Sequence, residues 1–299
     1  MERKEIVQAI QKIISDIREK CIIKNTAIRD SIFDILENEC TVIYYPLENE
    51  KNRGFHIKKI VKNELEDFVY INTAKPIAEQ IFAAAHEFGH IWEVSEKVWN
   101  ILGYEGKPTE EEEETITDWF AAELLMPIDE FRSAFFAHMD ELGIKAGMVK
   151  LDEIVRVIVL QMNDFMVPYE SVRRRLEETG IMQKDAADFL LSKQKEALDM
   201  VSIFIKDSNT YLGKGTGVKT VSGIRTLIEN AESKENADSY LLKKIILNIY
   251  SAKDLLIKIA EKEDSDFSKN DLVDIAKSIG ERKHQSDIKQ AWNRTHLGT

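Results

Sequence analysis

The stretch Ile81-Phe82-Ala83-Ala84-Ala85-His86-Glu87-Phe88-Gly89-His90-Ile91-Trp92 decides how this chain is read. His86 and His90 are four residues apart, so on a helix both imidazoles leave the same face, with Cβ atoms about 6 Å apart. That spacing lets them occupy two corners of one tetrahedral zinc site at ~2.0–2.1 Å each. Glu87 lies one step round the helix, where a carboxylate reaches an attacking water without being a ligand itself; this is the H-E-x-x-H pattern. With only six histidines in 299 residues, chance supplies such a match on the order of 0.01 times.

A catalytic zinc site needs a third protein ligand and leaves the fourth position to water. The other histidines, His56, His138, His284 and His296, stand in no comparable context. The better source is Glu110-Glu111-Glu112-Glu113-Glu114-Thr115-Ile116-Thr117-Asp118-Trp119-Phe120-Ala121-Ala122-Glu123-Leu124-Leu125-Met126-Pro127. A run of glutamates is normally a solvated face at a helix N-terminus, and Glu110 to Glu113 are read that way. Glu114 differs. Asp118 follows one turn later on its face, while Phe120, Leu124 and Leu125 give the helix an apolar side to pack. A second helix can thus offer Glu114 as a ligand, with Asp118 orienting a ligand imidazole through its other ring nitrogen.

These two segments resemble the ImmA/IrrE-type metallopeptidases, whose members carry A-H-E-x-G-H followed by E-x-x-A-[ND]-x-F-A-A-x-L-L-M-P. The resemblance runs over about residues 26–180. It includes Val69-Tyr70-Ile71-Asn72 before the first helix and a weaker tail from Val167 to Leu176. It implies an α+β fold, a zincin-like catalytic core with a small antiparallel sheet and mostly helices; the all-α C-terminal region that follows is expected from its apolar periodicity, since the resemblance does not reach residues 183–299. It also implies Zn²⁺ held by His86, His90 and Glu114, with Glu87 as catalytic base, Asp118 supporting a ligand, and Met126 in the apolar floor. The implied activity is zinc-dependent endopeptidase cleavage of a protein or peptide substrate, such as a helix-turn-helix repressor or an antitoxin, in a stress, mobile-element or phage response. Thr117 stands where the family usually has Ala, and Pro168 where Ser is usual. A non-enzymatic alternative is a protease-fold scaffold that sequesters a partner without cleaving it.

Composition makes a soluble cytoplasmic protein the expectation. Hydrophobic residues are 43% and charged residues 31% of the chain, and 53 acidic against 41 basic residues give a net charge of -12. That balance argues against broad binding to nucleic acid or anionic membrane. No apolar run is long enough to span a membrane, and the charged start lacks the apolar core of a signal peptide. Two cysteines, Cys21 and Cys40, make no disulfide framework. The triplet Arg173-Arg174-Arg175 is read as a salt-bridged surface, not a DNA contact.

Periodicity predicts helices over 2–20 and 26–38, then strands Cys40–Tyr45, Phe55–Val61 and Asp67–Ile71 as an antiparallel meander. Asn72 or Thr73 should cap the next helix, with Pro76 in its first turn. Helices are expected over 76–95, 110–126, 128–142, 149–164, 168–179, 183–206, 222–233, 237–262 and 268–290. Asp207–Ser222 between them, with Gly213, Gly215 and Gly217, reads as an inter-helix loop, because Val218 occupies the position where a phosphate loop needs glycine. The expected division is an N-terminal helix (1–25), the catalytic domain (26–182) and a helical domain (183–299) that governs substrate access or partner choice.

Overall fold

The computed structural model of the chain describes residues 3–21, 23, 27–46, 52–61, 64–145, 149–204, 212–215, 217, 220–221, 257, 260–261, 268–270, 272–273 and 285–296. Its contacts form two compact units, Met1–Leu36 with Pro76–Gly215, and Glu37–Lys75 with Thr216–Thr299.

The first unit is helical. Helix α1 (Arg3–Lys20) buries Ile6, Ala9, Ile10, Ile13, Ile14 and Ile17, the isoleucine stripe of the sequence. Each buried isoleucine contributes about 1.5–3 kcal/mol. The chain passes from the first unit to the second within α2 (Ser31–Glu39) and returns at α3 (Ile77–Ile91). There follow α4 (Val94–Ile101), α5 (Glu110–Leu125), α6 (Ile128–Glu141), α7 (Leu151–Phe165) and α8 (Tyr169–Glu178). Helix α9 (Lys184–Phe189), a 3₁₀ turn (Leu190–Lys193) and α10 (Gln194–Phe204) complete it. Helix α5 is central, packing against α1, α3 and α4.

Two local readings change. The single helix expected over 76–95 is broken, because Glu93 takes a left-handed backbone (φ 51°) between α3 and α4. A non-glycine residue there carries no sequence signature. The N-cap of α3 is Pro76, without a side-chain cap, while Asn72 Oδ1 accepts instead from Ala74 N at 3.0 Å. Past residue 182, α10 packs on α7 and α8, and the buried Tyr169 hydroxyl donates to the Leu190 carbonyl at 2.7 Å. This stretch therefore shares its core with the helices before it.

The second unit holds a four-stranded sheet in the order β2-β3-β1-β4, built from β1 (Thr41–Tyr45), β2 (Gly54–Val61), β3 (Glu64–Asn72) and β4 (Thr220–Val221). The expected meander is corrected: β2 and β3 are antiparallel, but β1 pairs with β3 in parallel, Val42 opposite Val69 and Tyr44 opposite Ile71. The reason lies in β3. Val69, Tyr70 and Ile71 are consecutive buried residues, which is the mark of a strand covered on both faces and placed inside a sheet. A meander would have put β2 there, and Lys58-Lys59 suits an edge. Antiparallel β4 is a second correction, since its residues fall in the expected loop; Val221 pairs with Ile43.

One sheet face (Ile43, Tyr45, Phe55 and Tyr70) packs with Ala260, Leu272, Ile288 and Ala291. Phe55 stacks on Tyr70 with ring centroids 5.0 Å apart. Helix α11 (Gln285–His296) supplies Ile288 and Ala291. The helices expected over 222–233 and 237–262 lie almost wholly outside the described residues, as do most of 268–284 and His284. Among the described residues no helix is long and apolar enough to cross a membrane.

Candidate metal centre

Two helices of the first unit build the centre. Helix α3 carries His86, Glu87 and His90; helix α5 carries Glu114 and Asp118. They approach closely at Gly89, where a Cβ would stand 2.8 Å from Thr117 Cγ2 and 2.9 Å from Phe120 Cδ1. The first turn of α5 is fixed by a capping box: the Thr109 hydroxyl accepts from Glu112 N, and the Glu112 carboxylate accepts from Thr109 N at 2.9 Å. Glu112 is thereby occupied, and the next two residues, Glu113 and Glu114, meet α3.

His86 Nε2 and His90 Nε2 are 3.1 Å apart. Glu114 Oε2 lies 3.3 Å from the first and Glu114 Oε1 lies 3.5 Å from the second. A tetrahedron with metal–ligand bonds of ~2.0–2.1 Å has edges of about 3.3–3.4 Å. The Nε2–Nε2 spacing and the distance from each nitrogen to one Glu114 oxygen lie close to that edge, and the three side chains form a close His/Glu cluster among the described residues. The donor set of two imidazoles and one carboxylate also fits zinc.

The outward nitrogens are engaged as well. His86 Nδ1 donates to Asp118 Oδ1 at 2.9 Å, and His90 Nδ1 to Glu113 Oε1 at 3.1 Å. Each carboxylate holds a proton on Nδ1 and leaves Nε2 to face the shared point. Asp118 lies against the His86 nitrogen remote from Glu114. Glu113 was assigned to the solvated face and is corrected here: it meets His90 on the nitrogen remote from Glu114.

Electrostatics favour a cation at this point. Burial pulls the His86 imidazole down, but hydrogen bonds to Asp118 and Glu114 and the charge of Glu87 outweigh it, and its pKa rises to about 10. His90 likewise rises, burial being overcome by Glu114 and Glu87. Glu114 is held well below the carboxylate range by its hydrogen bonds to both histidines. Glu87 is 6% exposed, and burial raises its pKa against the opposing pull of the two imidazoles. A carboxylate shifted upward is suited to accept and return a proton.

The remaining named residues are placed elsewhere. Met126 caps the C-terminus of α5 and is fully buried. Its carbonyl accepts from Arg175 Nε at 2.9 Å, and Arg175 pairs with buried Glu123. Arg173 and Arg174 share Glu170, so the arginine triplet is engaged in ion pairs. His56 pairs with Asp67, His138 with Asp164 and Glu141, and His296 stacks on Trp292.

No curated protein and no solved structure matches the chain. Residues 37–177 match the family model Peptidase_M78, described as the IrrE N-terminal-like domain. The match takes in both helices of the centre and every residue that lines it, and over that stretch the chain is similar to this peptidase family.

Proposed function

We propose that the protein is a zinc-dependent endopeptidase that uses Glu87 as its proton carrier. The observation that carries this is the triangle of His86 Nε2, His90 Nε2 and the Glu114 carboxylate at 3.1–3.5 Å. Zinc, when bound there, supplies a Lewis acid that polarises the scissile carbonyl and makes water acidic enough to be deprotonated near neutrality. His86, His90 and Glu114 would hold it. Asp118 keeps the His86 ring in one tautomer and one plane. Glu87 takes the proton of the attacking water and passes it to the departing amine, acting as base and then as acid.

The substrate we assign is a protein of the repressor or antitoxin kind, met in the cytoplasm during a stress or mobile-element response. The described residues of 183–215 contribute no group to the centre, and we assign residues 183–299 to the choice of substrate or partner.

The test is Glu87→Gln. The variant should bind zinc as the wild type does while cleavage falls by at least about 10²–10⁴-fold. Incubating both proteins with extract of the native cell, and sequencing new termini by mass spectrometry, identifies the substrate. Undiminished proteolysis by the variant would overturn the role of Glu87. Zinc uptake by the wild type without any new termini would favour sequestration over cleavage.

A further inference from the structure

We infer that Glu113 is the positioning residue of the second ligand imidazole, so that α5 supplies one ligand and an orienting carboxylate for each histidine. The inference rests on the zinc reading above and adds to it a residue that motif spacing did not select.

Three observations carry it. First, Glu113 Oε1 lies 3.1 Å from His90 Nδ1, matching the 2.9 Å between Asp118 Oδ1 and His86 Nδ1. The two rings are thus held in the same way from opposite sides of Glu114. Second, the contact is on Nδ1, whereas Glu114 faces Nε2. Glu113 is therefore placed to orient the ring, not to compete with Glu114 for the metal. Third, the backbone that carries Glu113 is fixed three times over. Its N–H donates to the Thr109 carbonyl at 2.8 Å, its carbonyl accepts from the Thr117 hydroxyl at 2.8 Å, and the capping box closes the same turn. Thr117 itself is fully buried against the α3 interface. A side chain launched from so constrained a turn has few ways to miss His90.

Ring orientation matters because an imidazole donates only along its in-plane Nε2 lone pair. A ring free to rotate about Cβ–Cγ spends part of its time with that lone pair turned away. Removing a hydrogen-bonding partner of a ligand histidine typically weakens metal binding 10–100-fold. Glu113 is 42% exposed in its side chain, so water competes for His90 Nδ1 and the lower end, about tenfold, is expected.

The experiment compares full-length wild type with Glu113→Ala, Glu113→Gln and Glu111→Gln. Zinc affinity is read by competition with a chromogenic chelator. The Nδ1–H protons of the ligand histidines are read by long-range ¹H–¹⁵N spectra of the zinc-loaded proteins. Glu111 is a neighbouring exposed glutamate, and its neutralisation measures the effect of lost charge alone. Glu113→Ala should lose about tenfold in affinity and shift or broaden one of two low-field Nδ1–H resonances. Glu113→Gln, whose amide oxygen still accepts, should recover most of the affinity. Glu111→Gln should change it by less than about twofold. The inference is overturned if Glu113→Ala binds zinc as tightly as Glu111→Gln with both resonances unmoved. In that case wild-type zinc binding leaves the peptidase reading standing. If the wild type takes up no zinc, both fall together.

Discussion

Asp118 Oδ1 stands 2.9 Å from His86 Nδ1, and that contact turns His86 Nε2 toward Glu114. Helix α5 therefore sets both the Glu114 carboxylate and the attitude of the imidazole that faces it. Asp118→Ala should weaken zinc binding by about 10–100-fold. Asp118→Asn should lose less, because its carbonyl still accepts. Chelator competition measures both, and equal affinity in wild type and Asp118→Ala would contradict the assigned role.

The close approach at Gly89 gives a packing prediction. A methyl group there would meet Thr117 Cγ2 at 2.8 Å and Phe120 Cδ1 at 2.9 Å. Gly89→Ala should therefore destabilise the protein by about 1–3 kcal/mol, the usual cost of overpacking. It should also push α5 outward and weaken zinc binding. Adding Thr117→Ala should return only part of the loss, since Phe120 remains. Urea unfolding of the metal-free proteins reads the stability term.

Protons should leave when zinc enters. In the metal-free protein the carboxylates lift His86 to about 10, above the ~6.5 of a free imidazole. The protonated ring therefore stabilises the metal-free fold fully below about 6.5, and that contribution is lost as pH rises through about 10. Zinc needs the neutral ring, so binding near pH 7.5 should release about one proton or more per ion, and apparent affinity should rise with pH. Calorimetry in buffers of different ionisation enthalpy counts the protons. A count of zero would show that His86 is already neutral at that pH, against its raised pKa.

Arg175 and Glu123 form a buried ion pair, and Arg175 also holds the Met126 carbonyl at the end of α5. Removing one partner of such a pair leaves the other charge buried, at a cost of about 3–5 kcal/mol. Arg175→Met should show this loss in chemical denaturation. The double variant with Glu123→Leu should recover much of it, because an apolar pair leaves no charge stranded.

The local elements and the two-helix centre were legible in the sequence, because helical spacing converts directly into which side chains share a face. In the sequence Glu113 is hidden by its neighbour, because the i,i+4 pair Glu114–Asp118 is the more conspicuous pattern. A signal was available: Glu113 heads the stripe 113-117-120-124, and Thr117, Phe120 and Leu124 are fully buried. A carboxylate at the head of a buried stripe is not an ordinary solvated glutamate. The order of the strands was harder, since pairing partners are chosen by burial across the whole sheet. The run Phe68-Val69-Tyr70-Ile71 did hold the clue that β3 belongs inside. The short β4 carries no legible pattern of its own, since two residues cannot alternate.

The pairing of Val221 with Ile43 has a consequence for how the protein is made. At ~5–20 residues per second, the roughly 180 residues between the two partners take on the order of 10–40 s to synthesise. Throughout that interval the outer edge of β1 waits without β4, while helices α3 to α10 are completed. An open strand edge invites pairing with other chains. The nascent chain is thus exposed to mispairing at β1 until β4 has been made, and slowing translation should raise aggregation more than it does for proteins whose sheets close locally.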